Sequence, residues 1–188
     1  ADRLLLHERH LVSRDLAGLE GEQPVRSAAA LGASGSVGAM ANEEDHLRLQ
    51  GVVSGFALEA VYHTVDGLDT ELGQRLPYAF HPEFGYLTSC PTNVGTGLRA
   101  SVLIHLPGLV LTKEIAKVLQ GLGQVGLTFR GLYGEGTEAL GNVFQVSNQM
   151  TLGEAEVDIV ERLSKVLAQL IEHEENARAS LLETKAKM

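Results

Sequence analysis

Two kinds of hydrophobic pattern alternate along the chain. In residues 99–106, polar and apolar side chains alternate, so that Arg99 and His105 share one face while Val102 and Ile104 share the other. Successive side chains of a strand point to opposite faces, so this pattern predicts a strand. Residues 55–76 instead place apolar side chains at helical spacing, which predicts a helix. The helical positions are Phe56, Ala60, Val61, Val65, Leu68 and Leu72.

The remaining segments continue the alternation of helices and strands. We expect helices in residues 1–13 and 109–122, and a long amphipathic helix that opens with a Thr151–Glu154 capping box. The inward face of this last helix should contain Val157, Val160, Leu163, Leu167, Leu170 and Ile171. Strands are expected in residues 35–51, 125–130 and 142–149, and a loop in residues 18–36.

Several neighbouring strands are joined by short turns, which favours an antiparallel arrangement. The predicted class is therefore α+β, with an antiparallel sheet and helices packed mainly on one of its faces. A chain of 188 residues without repeats or long linkers fits one domain. The chain opens on Ala1 and ends inside a predicted helix, so we expect residues 1–188 to be part of a larger protein.

Composition narrows the class of function. The formal net charge of −9 argues against broad nucleic-acid binding, which needs a basic surface. The single cysteine rules out an internal disulfide framework and fits a reducing compartment. No apolar run approaches the roughly 18–20 residues that span a bilayer. These features predict a soluble protein of the cytoplasm.

The first candidate for chemistry is the acidic segment of residues 42–48. If this segment is a strand, Glu44, His46 and Arg48 share one face, while Asp45 lies on the other with the leucines. Spacing alone fits a solvated acidic turn. It also fits a carboxylate that binds and orients a cationic substrate, with Arg48 close enough to belong to the same site.

The second candidate is the stretch that contains Cys90. By spacing alone, Cys90 is a small packed side chain more often than a nucleophile. Pro91 favours an extended backbone at Cys90. The turn that follows offers backbone N–H groups for an anion, from Thr92, Asn93, Gly95, Thr96 and Gly97.

The third candidate is the glycine-rich segment of residues 129–142. Arg130 ends a predicted strand, and the loop after it contains Gly131, Gly134 and Glu135. This loop is either a surface hairpin or a mobile flap that brings a second carboxylate to a substrate. Three predicted strands then each present an arginine on the polar side, Arg48, Arg99 and Arg130. Such an array would neutralise nucleotide phosphates.

Three motifs in this order resemble the ATP:guanido phosphotransferases, the family of arginine and creatine kinases. NEEDH at 42–46 matches the family's NEED motif, and CPTNVGT at 90–96 matches its cysteine signature. RGLYGE at 130–135 matches its arginine–glycine loop, although Leu132 and Tyr133 replace the Thr and Arg that are usual in the metabolic kinases. The resemblance covers the whole chain and is strongest to the bacterial protein arginine kinases.

The resemblance implies a role for each matched residue. Glu44 and Glu135 would bind the substrate guanidinium, with the Cys90 thiolate beside them. The ATP phosphates would be held by Arg48, Arg99, Arg130, Gly131 and Gly134, with Mg²⁺ on the nucleotide. The implied fold is the glutamine-synthetase-like catalytic domain of guanido kinases, without the family's N-terminal domain and without the C-terminal portion of the protein arginine kinases.

The implied function is ATP-dependent phosphorylation of arginine side chains in proteins. The resemblance also implies a link to stress response, to degradation by a Clp protease and to release of a heat-shock repressor. A homodimer is one possible assembly, although the sequence does not determine the oligomeric state. Two alternatives stay open. One is a phosphagen kinase acting on free arginine, and the other is a catalytically inactive binding or regulatory fragment, because the family's further ATP-binding arginine segment is not found in this chain.

Overall fold

The computed structural model describes residues 2–19, 26–131 and 140–186. The chain forms two compact units, Ala1–Gly97 and Leu98–Met188. The described elements confirm the predicted α+β class, with antiparallel sheets flanked by helices. Where one sheet was expected, the described strands form three, in the orders β1-β2-β3, β4-β5 and β6-β8-β7.

In its described residues, the first unit contains a three-stranded sheet, a two-stranded sheet and three helices. Its elements are α1 (Asp2–Glu8), α2 (Arg14–Ala17), β1 (Ala28–Leu31), β2 (Val37–Ala41), β3 (Leu47–Gly51), α3 (Leu58–Gly73), β4 (Phe80–His81), β5 (Gly85–Tyr86) and a 3₁₀ turn (Pro91–Asn93). The predicted loop of residues 18–36 therefore contains strand β1. The prediction missed this strand because its four residues are all exposed and show no apolar alternation.

A small apolar cluster supports the first sheet. Met40 of β2 is buried against Val12 and Ala17, with Leu6 and Leu16 packed beside them. Helix α2 begins where the Ser13 hydroxyl accepts a hydrogen bond from the Leu16 backbone N–H at 3.2 Å. This cluster anchors the hairpin formed by β2 and β3.

The prediction of one strand across residues 35–51 is wrong. The segment is an antiparallel hairpin in which Ala41 of β2 pairs with Leu47 of β3, and residues 42–46 form the bend between them. Asn42 enters the left-handed region with a φ of 52°, which an asparagine tolerates better than most residues. The acidic residues thus lie at the tip of a hairpin and not on the faces of a strand.

The second unit packs one antiparallel sheet against a long helix. Its elements are β6 (Ser101–His105), α4 (Pro107–Leu111), α5 (Ile115–Gln124), β7 (Leu127–Gly131), a 3₁₀ turn (Leu140–Asn142), β8 (Val143–Asn148) and α6 (Glu156–Ala186). The predicted alternation in β6 is confirmed, because Ser101, Leu103 and His105 are exposed while Val102 and Ile104 are partly buried.

Two helical details differ from the prediction. The helix expected in residues 109–122 is broken between α4 and α5, where Lys113 has a φ of 62°. Helix α6 begins at Glu156, so Thr151 is not the residue that caps it. This later start leaves Val157 51% exposed and buries Ile159 completely, so the inward face differs from the predicted one by that position.

A buried carboxylate joins α4 to α6. Glu174 of α6 accepts hydrogen bonds from the backbone N–H groups of Gly108 and Leu109, at 2.8 and 2.9 Å. Arg178, one turn further along, donates to the same carboxylate at 2.5 Å. Burial would raise the pKa of Glu174, but the hydrogen bonds from Arg178, Leu109 and Gly108 bring it below its ordinary value. This contact fixes the core of the second unit.

Gly108 suits this contact because a side chain at this position would be crowded. A Cβ atom at Gly108 would lie 3.0 Å from Arg178 Cγ, 3.0 Å from Glu174 Oε1 and 3.1 Å from the Arg178 backbone nitrogen. Glycine therefore allows α4 to approach α6 closely. In the described part of the chain, no helix combines the length and the apolar character needed to cross a bilayer.

Candidate active site

The tip of the β2–β3 hairpin presents carboxylates with different surroundings. Glu43 is almost fully buried and forms an ion pair with Arg48 of β3 at 3.2 Å. Burial would raise the pKa of Glu43, but hydrogen bonds from Ser13 and the Glu44 backbone, with the charge of Arg48, bring it below its ordinary value. Glu44, by contrast, is exposed at the tip. Of these two glutamates, Glu44 is therefore the one that can reach a substrate.

The Cys90 turn is closed at its base by backbone pairing. Tyr86 and Gly95 exchange two hydrogen bonds, with N–O distances of 2.8 and 3.2 Å. Gly85, just before this bridge, has a φ of 73°, and a Cβ atom there would lie 2.4 Å from the Gly95 carbonyl oxygen. The glycines at the base thus let the two ends of the turn meet.

The backbone of this turn does not form the predicted anion site at two of its proposed positions. The N–H of Asn93 donates to the Cys90 carbonyl at 3.0 Å, and the N–H of Gly95 donates to the Tyr86 carbonyl at 3.2 Å. Both groups are therefore used within the turn. The prediction was wrong there because the 3₁₀ turn and the closing bridge require these donors internally.

Asp45 connects the acidic bend to the Cys90 turn. Its Oδ1 accepts from the Cys90 backbone N–H at 3.0 Å, and its Oδ2 accepts from Asn93 Nδ2 at 2.7 Å. Burial would raise the pKa of Asp45, but these bonds and one from the Ser89 backbone N–H bring it below its ordinary value. The carboxylate therefore holds the two motifs at a fixed separation.

Sequence reasoning missed this role of Asp45. It placed Asp45 with the leucines of a strand, on the face away from Glu44. No local pattern pairs residue 45 with residue 93, so the signal could come only from the fold. Asn93 was considered for its backbone N–H, whereas the contact with Asp45 uses its side-chain amide.

Cys90 lies in a polar setting within the turn. The residue is partly buried, and its Sγ is 3.0 Å from the hydroxyl oxygen of Thr92. The Thr88 hydroxyl donates to the Cys90 carbonyl at 2.6 Å. Cys90 is therefore not the fully packed side chain that its spacing favours. Among the described residues, it is also not paired with a base that would make it a nucleophile.

A shallow cleft of about 150 Å³ opens beside the bend. Its walls include Glu43, Glu44, Asp45 and His46, and Ser89 from the Cys90 turn completes them. His46 Nδ1 lies 3.3 Å from the Ser89 hydroxyl oxygen, a second contact between the two motifs. Carboxylates around a small cleft suit a cationic group such as a guanidinium.

The other predicted site residues belong to the second unit. Arg130 is exposed on β7, and strand pairing through Gln145 of β8 aligns it with Leu103 on the polar face of the sheet. This confirms that Arg130 lies on the polar side of its strand. Arg99 precedes β6 and takes part in contacts of its own. Gly131 is the last residue of β7, while Gly134 and Glu135 lie outside the described residues.

Within the first unit, Asp45 links the bend that contains Glu44 to the Cys90 turn, and Glu43 of the same bend pairs with Arg48. The roles assigned to these residues, and to Arg99, Arg130 and Gly131, stay predictions. No group of three or more histidine, cysteine, aspartate or glutamate side chains able to bind a metal occurs in residues 2–19, 26–131 and 140–186.

Comparison with known proteins identifies the class. The family described as "ATP:guanido phosphotransferase, C-terminal catalytic domain" matches residues 1–177, and the chain belongs to this family. The resemblance drawn from the three motifs is therefore confirmed.

Two curated relatives from bacteria share the same name. The chain is 50% identical over 181 residues to "Protein-arginine kinase" of Bacillus cereus (strain G9842), which covers 96% of this chain and 50% of that protein. The same figures hold for the protein of that name from Bacillus anthracis. The chain therefore spans about half the length of the curated relatives it matches.

Solved structures agree on the fold. The duplicated taurocyamine kinase from Schistosoma mansoni with bound transition-state-analogue components matches with a TM-score of 0.77 at 31% identity, over 92% of this chain and 25% of that chain. Lombricine kinase matches with a TM-score of 0.76 at 26% identity, over 94% of this chain and 51% of that chain.

Proposed function

We propose that this chain is the catalytic part of an ATP-dependent protein arginine kinase. The observation that carries the proposal is the acidic cleft, where Asp45 fixes the Cys90 turn against the bend that exposes Glu44. The 50% identity to proteins named protein-arginine kinase supports the choice of substrate within the family.

In the proposed reaction, a guanidinium nitrogen of a protein arginine attacks the γ-phosphorus of MgATP. The N–P bond forms as the bond from phosphorus to the β,γ-bridging oxygen breaks, and the electron pair leaves with ADP. Glu44 aligns the guanidinium and accepts the proton that the attacking nitrogen loses. A guanidinium is a poor nucleophile while protonated, which explains why an oriented carboxylate is needed.

Other residues of the chain would act through charge. The Cys90 thiolate would add a negative partner for the guanidinium without forming a covalent bond to it. Arg48, Arg99 and Arg130 would bind the phosphates and stabilise the charge on the transferring group. Arg48 is suited to this because Glu43 holds it while about half of its side chain stays exposed. Glu135, with Gly131 and Gly134, is assigned by the motif match alone.

The substrates, the metal ion and the cellular location belong to the same proposal. Its substrates would be proteins with exposed arginine side chains, and magnesium would enter bound to ATP. We place the protein in the cytoplasm, because a chain with one cysteine suits a reducing compartment.

The test offers casein and free arginine together to the full-length protein with MgATP. Mass spectrometry should find phosphoarginine within casein. Phosphoarginine found only as the free amino acid would favour a phosphagen kinase, the class to which the taurocyamine and lombricine kinases point. Tight ATP binding with no phosphorylated product would indicate a regulatory module.

Glu44→Gln is the sharpest variant for this proposal. The amide keeps the size of the side chain but cannot accept the proton, so turnover should fall by roughly a hundredfold or more. Glu59→Gln, an exposed change in helix α3, is the matched control and should leave turnover unchanged. Near-normal turnover of Glu44→Gln would exclude its role as the base.

A further inference from the structure

A second and larger cleft lies elsewhere in the first unit. It has a volume of about 380 Å³ and is lined by residues from the second half of α3, the segment after it, and strands β4 and β5. None of its lining residues is shared with the cleft beside Glu44. The proposed reaction uses none of these lining residues, so it does not explain the presence of this cleft.

Aromatic rings form much of the wall. The Tyr86 ring contacts Tyr78 and Phe80 edge to face, with centroid distances of 5.9 and 5.3 Å. Phe80 is 58% exposed even though it is a large apolar side chain. The face of an aromatic ring carries partial negative charge and attracts a cation placed over it. The wall is thus both apolar and attractive to positive charge.

The charged group of the cleft is negative and would also attract a cation. Asp69 lies in the wall, and none of the lining residues is a lysine or an arginine. The Tyr78 hydroxyl is buried beside Asp69, which takes part in a side-chain hydrogen bond with it. Burial, followed by the negative charge of Asp69, raises the pKa of Tyr78 to about 12. The phenol therefore stays neutral and adds no second charge.

Helix α3 extends this negative character. From Asp66 to Gly73, on the side of the cleft, the helix contains three acidic residues and no lysine or arginine, and Arg75 lies just beyond its end. The acidic residues are Asp66, Asp69 and Glu71. Charge complementarity therefore selects a cationic occupant over a neutral apolar one.

We propose that this cleft binds an arginine side chain presented by a basic segment of another polypeptide. The planar guanidinium would stack on the aromatic wall and pair with Asp69. The volume is at the lower end of the range for small-ligand sites, which suits one long side chain. This binding is independent of phosphoryl transfer, since it uses no residue of the acidic cleft.

The test is a ¹⁵N NMR titration of the 188-residue chain with two short peptides. One is acetyl-Gly-Arg-Gly-amide, and the other replaces arginine with citrulline, which has nearly the same shape but no charge. The arginine peptide should cause saturable shifts at the amides of Asp69, Phe80 and Tyr86. The citrulline peptide should bind about tenfold more weakly at these positions.

Two variants separate charge from ring stacking. Asp69→Asn should weaken binding of the arginine peptide about fivefold, and Phe80→Leu should weaken it while leaving the cleft apolar. Glu59→Gln is the matched control, because it removes a charge from the same helix about 15 Å away and should leave the affinity unchanged.

Several results would overturn the proposal. Equal binding of the two peptides would show that charge is not recognised. Unchanged affinity in both Asp69→Asn and Phe80→Leu would show that the shifts arise elsewhere. Shifts confined to residues 42–46 and 89 would support the acidic cleft of the proposed kinase and reject arginine binding at the second cleft. Shifts at Asp69, Phe80 and Tyr86 without any at residues 42–46 would support the second cleft and count against the proposed kinase alone.

Discussion

Asp45 in the first unit and Glu174 in the second unit accept hydrogen bonds in the same way, but their surroundings differ. Each carboxylate accepts a backbone N–H on one oxygen and a second donor on the other. Glu174 is buried in a helix and adds an ion pair with Arg178, whereas Asp45 lies in a bend beside an open cleft. Burial decides the difference, because an unsatisfied group is most unfavourable where water cannot replace the lost partner.

The comparison therefore separates a carboxylate that maintains the fold from one that positions a site. Loss of Glu174 leaves two buried N–H groups and an arginine without an acceptor. Loss of Asp45 leaves donors that water can reach, and the main consequence is freedom of the Cys90 turn relative to Glu44. The first should change stability and the second should change activity.

The largest expected effect is on stability, from Glu174→Gln. Glutamine has no charge and a single acceptor oxygen, which can serve either Gly108 and Arg178 or Leu109, so at least one buried backbone N–H loses its partner. We expect the free energy of unfolding to fall by about 2–3 kcal/mol, the range for leaving a buried hydrogen-bond donor unsatisfied. Urea unfolding followed by circular dichroism measures this change.

Glu175→Gln provides the matched control for this experiment, because Glu175 is exposed on the next position of the same helix. It should change stability by less than about 0.5 kcal/mol. If both variants unfold at the same urea concentration, the contact between α4 and α6 does not support the second unit as described.

Asp45→Asn should change stability less than Glu174→Gln but should strongly affect turnover. The asparagine oxygen can still accept from Cys90, but its NH₂ group would face the NH₂ group of Asn93. We expect a stability loss of about 1–2 kcal/mol and a fall in turnover of roughly tenfold or more in the full-length protein.

A positioning role has a specific signature in this case. The Asp45→Asn and Asn93→Ala changes should not add in a double-mutant cycle, because both remove the same contact. The fall in turnover should exceed what the loss of folded protein explains. Additive effects, or a turnover that simply follows the folded fraction, would assign Asp45 to stability alone.

The smallest effect in this series concerns pH. The folded-state pKa of Glu174 and of Asp45 lies below the ordinary value, so each carboxylate contributes stability at pH values above its ordinary pKa. For Glu174, this contribution to stability is lost as the pH falls below the ordinary pKa of 4.5 and then through the lowered folded-state pKa. Stability should therefore decrease on acidification in this range.

Glu174→Gln should flatten this acid dependence, because glutamine does not titrate. Urea midpoints measured between pH 6 and pH 3 would show the difference in slope between the variant and the parent chain. An equally steep dependence in both would mean that other carboxylates account for the acid sensitivity.

The two carboxylates also differ in how far the sequence could reveal them. Glu174 follows Leu163, Leu167 and Leu170 at helical spacing, so the buried stripe of α6 itself indicates an acid in the core. Asp45 has no such indication. Leu47 and Leu49 alternate with polar residues, which predicts a strand that continues into residues 42–46. The turn conformation of Asn42, which makes these residues a hairpin tip, becomes visible only in the fold.

The same contrast applies to the fold and the candidate site as a whole. The class, helix α3 and strands β6 to β8 follow from periodicity, because each buries one face. The break between α4 and α5 and the late start of α6 depend on backbone conformation and long-range packing. The motif match predicts site roles for Glu44 and Cys90, and the family resemblance predicts one for Arg48. The contacts of Asp45 with the Cys90 turn and of Glu43 with Arg48 are visible only in the structure.

The closed base of the Cys90 turn has a consequence for how the site assembles. The bridge between Tyr86 and Gly95 and the hairpin of β2 and β3 both join residues that are near in sequence, so each can form early in folding. The bond between Asp45 and Asn93 spans 48 residues and requires α3 and the β4–β5 pair to be in place. The acidic cleft should therefore arise late, by the docking of two loops that are already shaped.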